Sequence, residues 1–235
     1  MAALVEHWPI AGLVVRTPRI ELRWPDDDDL VALAGLAAQG VHDADVMPFD
    51  IPWTRAPAGE LERNVIQYHW LQRAEWRPEN WSWNPVVVVG GQVVGSQGVN
   101  GEQFAIRRTV TTGSWLGQRY HGQGIGTEMR AAVLHLAFAG LVADRAETAA
   151  TVDNAASLAV TRKVGYSPDG TQVHAVEGQA RLQLRFVLER DGWEAARRDD
   201  IEIEGLDPCL ELFGAQRGPA DGQGATARAH GAIQR

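Results

Sequence analysis

Gly122, Gly124 and Gly126 fall at alternate positions in the run Trp115-Leu116-Gly117-Gln118-Arg119-Tyr120-His121-Gly122-Gln123-Gly124-Ile125-Gly126-Thr127. Lacking Cβ atoms, such positions let neighbouring backbone N–H groups point the same way. A concave set of amides where a helix begins suits a phosphate or diphosphate. Arg119 and His121 would add side-chain donors. The spacing is G-x-G-x-G, not the G-x-G-x-x-G of dinucleotide folds, and no acidic residue follows at a strand end to hold a ribose. No Lys-Ser/Thr pair follows, which excludes a Walker loop. Ordinary turn chemistry accounts for a bare glycine-rich run equally well.

Other chemistries find little support. The chain has no H-E-x-x-H, no cysteine pair and no histidines at metal-ligand spacing, so no metal is expected. Gly113-Ser114-x-x-Gly117 is not the G-x-S-x-G of a hydrolase elbow. Cys209 is the single cysteine, so no internal disulfide can form and a reducing compartment fits.

The elements that must position the glycine run can be read from periodicity. Leu13-Val14-Val15 and residues 20–24 are β-like, the second run alternating apolar and polar. Pro25 and Asp26 to Asp29 mark a helix start, where acids cap free N–H groups. Residues 41–53 are irregular, with Pro48 and Pro52, and a second helix is expected over 58–77. Val86 to Val89, the Gly90-Gly91 turn and residues 92–99 form a hairpin. A third strand is expected over 107–116, then the glycine run and a helix over 125–140. Residues 146–152 form a strand, Asn154 starts a helix that Gly165 ends, and Leu182, Leu184, Phe186 and Leu188 alternate along a last strand. Trp70, Trp76, Trp81 and Trp83 are expected to pack together. The sum is a mixed α/β sheet flanked by helices.

With 235 residues, 45% of them hydrophobic and 22% charged, the chain has the composition of a globular protein of one domain with small additions. A net charge of −8 without a Lys/Arg block argues against nucleic acid or an anionic membrane as partner. No segment is long and apolar enough to span a bilayer, and MAALVEHWPI lacks the features of a signal peptide. The expected location is cytoplasmic. Residues 8–190 are expected to form the domain, 191–213 a short appendage and 214–235 a flexible tail.

Arg119-x-x-Gly122-x-Gly124 resembles the R/Q-x-x-G-x-G/A loop of the GCN5-related N-acetyltransferases, the GNAT superfamily. Gly113-Ser114-Trp115-Leu116 resembles that family's central strand. Asp153-Asn154-Ala155-Ala156-Ser157 followed by Gly165-Tyr166 is similar to a segment of its ribosomal-protein N-acetyltransferase branch. His42 to Phe49 and Pro52-Trp53-Thr54 resemble an actinobacterial subgroup with a mycobacterial succinyl-CoA-dependent transferase. The order of elements agrees from about Arg19 to Leu188.

The resemblance implies a splayed, mostly antiparallel sheet and an acyl-CoA co-substrate, acetyl-CoA or succinyl-CoA. It places the diphosphate on the amides of Gln118 to Gly126, with Arg119, His121, Gly122, Gln123, Gly124, Ile125 and Thr127 in the contact set. The pantetheine arm would lie beside Trp115 and Leu116 and touch Asn154 and Ser157. The backbone N–H near Leu116 would face the thioester oxygen. Ser157 is expected as thiol partner or general acid, because the tyrosine that many members carry is Thr161 here. Glu177 is expected as general base, with a pKa raised by partial burial, and His174 and Glu102 are reserves. Pro48, Phe49 and Trp53 would wall an acceptor pocket that the 100–104 hairpin completes. For a succinyl carboxylate, Arg107, Arg108, Arg119 and His121 are the cations considered.

The acceptor would be a primary amine, on a protein lysine or N-terminus or on a small molecule. A non-catalytic acyl-CoA-binding module is the rival reading. Oligomeric state stays open, a homodimer included.

Overall fold

A computed structural model describes residues 2–215. The helices and strands are α1 (Ala2–His7), β1 (Val14–Arg16), β2 (Ile20–Arg23), α2 (Asp27–Ala38), α3 (Glu60–Ala74), β3 (Asn80–Trp83), β4 (Val86–Val89), β5 (Gln92–Glu102), α4 (Phe104–Arg107), β6 (Thr109–Leu116), α5 (Ile125–His135), β7 (Arg145–Thr151), α6 (Ala155–Lys163), β8 (Ser167–Val176), β9 (Gln179–Glu189), α7 (Arg190–Ala196) and β10 (Glu202–Glu204). All ten strands share one sheet in the order β10-β1-β2-β4-β5-β6-β7-β9-β8, with β3 on β5. Every pairing is antiparallel except β6 with β7. The mixed α/β expectation is met.

Helices cover both faces of the sheet, and this explains the unbroken valine run of β4. Val87 packs in the cluster with Ile125, Met129 and Val133 of α5, while Val86 and Val88 pack with Leu33 and Ala34 of α2 and Leu61 and Val65 of α3. Successive side chains of a strand point to opposite faces. Leu116 and Trp115 divide between the same two clusters. Asp26 caps α2 reciprocally with Asp29, as the acidic start predicts. Gly90 and Gly91 both have positive φ, the mark of a two-residue hairpin turn.

The helix expected over 125–140 is α-helical to His135 and widens to a π-helical turn at Leu136–Gly140. Trp76, Trp81 and Trp83 are buried as expected, but Trp70 is 50% exposed, on the side of α3 turned away from the sheet. The alternation of β9 reverses at its start: Leu182 is 44% exposed and Gln183 only 4%. Gln183 is covered because its amide donates to Asp50 and accepts from Gln172.

The chain beyond β9 joins the same core. β10 pairs with β1 at the sheet edge, and Cys209 and Phe213 are fully buried. Burial pushes the Cys209 thiol up to about 12, so it is no nucleophile. Gly214 and Ala215 close this segment, and the rest of the expected tail, residues 216–235, lies outside the described residues. No described helix is long and apolar enough to cross a membrane.

Burial, with Arg73 nearby, holds His69 of α3 down at about 4, from an ordinary 6.5. The unfolded chain therefore binds this proton at a higher pH than the folded one. Stability should be full above about pH 6.5 and fall as the pH drops toward 4, by about 3 kcal/mol in all. His69→Gln should remove most of the difference between urea midpoints at pH 7 and pH 4.5. An equal acid loss in both proteins would show that other groups cause it.

Candidate active site

β6 and β7 pair in parallel only from Thr109↔Arg145 to Thr111↔Glu147. Beyond that point β6 runs on to Leu116 against β5, and β7 runs on to Thr151 against β9. The two lips part, leaving a wedge roughly 16 Å deep at about 3.3 Å per residue. Thr148 Oγ1 donates to Thr112 O at 3.0 Å and closes the vertex. The Gly117 N–H donates to Val94 O, so in the alternating antiparallel ladder the amides of Leu116, Ser114 and Thr112 point away from β5, toward the wedge.

The glycine run stands at the open end. Its first amides are used internally: Gln118 N donates to Gly40 O, Tyr120 N to Gly117 O and His121 N to Gln118 O, at 2.9–3.1 Å. From Gly122 to Thr127 no amide has an acceptor among the described residues. Gly122 and Gly124 take positive φ, 73° and 79°, and Gly124 is the N-cap of α5. Residues 121–124 are exposed, Ile125 is buried, and Gly126 and Thr127 are half-buried. A Cβ on Gly126 would reach Val160 Cγ2 at 3.4 Å, so this glycine lets α6 lie close to α5. Open amides and the positive end of the α5 dipole make a seat for an anion.

The side chains considered for that anion divide. His121 Nε2 lies 3.1 Å from Leu116 O, at the wedge. Arg119 reaches back to Gln39 and its guanidinium covers the Tyr120 ring at 4.8 Å. Gln123 Nε2 donates to Arg119 O. Gln118 Nε2 donates to Asp43. Arg19 joins these side chains from outside the glycine run. It bonds the buried Glu128 of α5 and donates to Gln123 O at 3.3 Å, which places a second cation beside the loop. No motif flags it, because it comes from β2, more than 100 residues away. Arg107 and Arg108 lie at the closed end of β6, away from Leu116, and Arg107 is paired with Glu102.

Asn154 caps α6 by accepting from Ser157 N at 3.0 Å, which leaves both side chains, half-buried, near the end of the β7 lip. Thr161 is fully buried and its hydroxyl has no partner among the described residues. Glu177 occupies the β8–β9 turn at φ 49°, exposed, with Arg55 Nε at 3.4 Å. The partly buried edge expected for it is thus an exposed, ion-paired turn. His174, on β8 three residues before Glu177, has Nδ1 3.8 Å from Asp50.

Residues 41–56 span the face of the wedge opposite α5. One end is held by Gln118 through Gly40 and Asp43, and the other by Asp50 to Gln183 and Arg55 to Glu177. His42, Phe49, Trp53 and Trp115 form a chain of ring contacts at 5.2–5.7 Å, with Pro48 half-buried beside Phe49. A cavity of about 310 Å³ opens along this segment, lined by Val41, His42, Thr54 and Arg55 among others. Phe104 is buried instead in the Trp81–Phe213 cluster.

A mostly antiparallel sheet split beside a helix N-terminus is the architecture of acyl-CoA transferases of the GNAT class. The acetyltransferase (GNAT) domain family matches residues 19–167, and the chain belongs to it. Solved structures agree in fold. Mycobacterium smegmatis RimJ, in complex with CoA-disulfide, superposes with a TM-score of 0.64 at 22% identity, over 78% of this chain and 90% of that one. RimL, a ribosomal L7/L12 alpha-N-protein acetyltransferase in complex with coenzyme A, gives 0.58 at 21% identity, over 76% and 99%. A GNAT-family acetyltransferase from Bacillus anthracis gives 0.61 at 16% identity, over 76% and 99%.

Proposed function

We propose that this protein is an N-acyltransferase that moves an acetyl or succinyl group from acyl-CoA directly to a primary amine, on a protein lysine or N-terminus. The observation that carries the reading is the row of amides from Gly122 to Thr127, without an acceptor among the described residues, at the mouth of the β6–β7 wedge. A diphosphate seated there sends an extended arm between the lips, where it completes the interrupted sheet like an added strand. That RimJ and RimL relatives were crystallised with CoA species supports the donor.

In this scheme Gly122 to Thr127 hold the diphosphate, with Arg19 and Arg119 at its flanks. Trp115, Leu116, Asn154 and Ser157 line the arm, and the Leu116 N–H polarises the thioester carbonyl. The amine nitrogen bonds to the carbonyl carbon, the C–S bond breaks, and its electron pair leaves on sulfur. A lysine amine, with pKa about 10.4, must first lose a proton. Glu177 takes it once the acceptor displaces Arg55, and Ser157 supplies a proton to the thiolate. Phe49, Trp53 and Pro48 wall the acceptor side. A small-molecule amine would fit the same scheme.

The rival, a binding module without turnover, draws on the burial of Thr161, which removes it as a thiol acid. Calorimetric titration with acetyl-, succinyl- and free CoA, followed by thiol release with an amine panel, separates the readings. A donor at 100 times its Kd should stabilise the fold by about 2.7 kcal/mol. Glu177→Gln should keep donor affinity and lower kcat. An unchanged kcat would reject Glu177, binding without thiol release would favour the rival, and no binding would end the proposal.

A further inference from the structure

One full positive charge is buried where the scheme above leaves it unused. Arg130, in the middle of α5, is 3% exposed. Its Nε donates to Gln97 Oε1 at 3.4 Å, Nη1 to Thr148 Oγ1 at 3.3 Å and Nη2 to Ser114 Oγ at 3.1 Å. The Tyr166 phenol, itself 3.0 Å from Thr112 Oγ1, completes the surroundings. Every partner is neutral, and among the described residues no carboxylate forms an ion pair with Arg130. Glu128, on the same helix, is taken by Arg19 and Thr17, and Glu147, at the last β6–β7 pair, by Arg145 at 3.0 Å.

A buried guanidinium without a counter-ion weakens a fold, and a well-packed apolar side chain in its place is often neutral or stabilising. Its location suggests what offsets that penalty. Ser114 is on the β6 lip and Thr148 on the β7 lip, so the guanidinium bridges the two sides at the floor of the wedge. The hydroxyl hydrogens differ. Thr148 spends its own on Thr112 O. Ser114 accepts from Arg130, is half-buried, and has no acceptor for its hydrogen among the described residues. It is therefore a donor backed by a cation, on the lip where an arm anchored at residues 122–127 brings its reacting end.

We propose that the Ser114 hydroxyl, held and polarised by Arg130, donates to the thioester during acyl transfer and stabilises the negative charge that builds there as the N–C bond forms and the C–S bond breaks. Ser114 is the catalytic residue and Arg130 its positioning residue. The inference rests on the acyl-CoA reading above.

The test measures kcat, donor Kd and thermal midpoint for Ser114→Ala, Arg130→Met, Arg130→Lys and the Ser114→Ala/Arg130→Met double variant. Loss of one preorganised donor typically lowers rate by about 10²-fold. The expected result is a fall of that order for Ser114→Ala and of roughly 10- to 100-fold for Arg130→Met, with donor Kd within about threefold. The double variant should be no slower than the worse single one, and Arg130→Lys should recover most of the rate. The Arg130→Met midpoint should equal or exceed that of the wild type, whereas a purely structural arginine predicts a lower one. Unchanged kcat in Ser114→Ala, or a lower kcat and midpoint together with a clearly raised donor Kd in Arg130→Met, would overturn the proposal. If Arg130→Met does not fold, Ser114→Ala with Arg130→Lys still decides it. Wild-type protein that binds no CoA would instead remove the underlying reading, and this inference with it.

Discussion

Gly124→Val should raise the Kd for CoA by at least about 100-fold, or about 2.7 kcal/mol, while the protein stays folded. Gly124 holds φ 79° at the N-cap of α5, a conformation in which a β-branched residue is a true outlier. The strain of about 1–2 kcal/mol is small beside the stability of a domain. The loop can relieve it by turning the peptide planes on either side. Those planes carry the amides from Gly122 to Thr127, so relief of strain and loss of the anion seat are the same movement. Calorimetry with free CoA reads the effect without any assumption about acceptor or acyl group. Gly113→Ala is the control: a Cβ there meets no atom within 4 Å, and the residue lies on the lip rather than in the loop. Its donor affinity should be unchanged. If Gly124→Val binds CoA as the wild type does, the diphosphate is not seated on these amides.

The seat was legible because glycine leaves a strong local mark. Alternate glycines before an apolar helical run can be read without knowing what lies across the fold. The first strands, the Gly90-Gly91 turn and the Asp26 cap were legible for the same reason, since each is decided within a few residues. What sequence could not show is the meeting of distant groups. Arg19 reaches the loop from β2, and Asp50 covers Gln183 from a segment without regular structure. Glu177 read as a partly buried edge from its apolar neighbours, yet its position in a two-residue turn turns it outward to Arg55. Arg130 was invisible for a further reason. On α5 it shares the core-facing side with Met129 and Val133, and a helix pattern cannot tell a tolerated arginine from one aimed at a parted sheet.

Removal of residues 206–235 should cost several kcal/mol and leave a protein that unfolds at far lower urea, although none of the described residues 206–215 lies at the wedge. A separable appendage would predict almost no loss. The packing argues otherwise: Phe213 has 0% exposure and meets the Trp81 ring edge-on at 4.7 Å. Trp81 Nε1 donates to Phe213 O at 2.9 Å, and Trp76 Nε1 to Leu212 O at 2.8 Å. Deletion therefore strands two buried indole donors as well as opening a cavity, and unpaired buried groups cost about 1–3 kcal/mol each. Leu206, Cys209, Leu210 and Phe213 follow a helical spacing that hints at such a buried face. Trp81→Ala tests the same contact from the other side and should cost about 3–5 kcal/mol. Because Trp81 and Phe213 belong to one cluster, the two losses should not add. Trp81→Ala in the truncated chain should lower the urea midpoint by clearly less than it does in the full one. Full additivity would mean that the C-terminal segment is held by contacts other than this tryptophan.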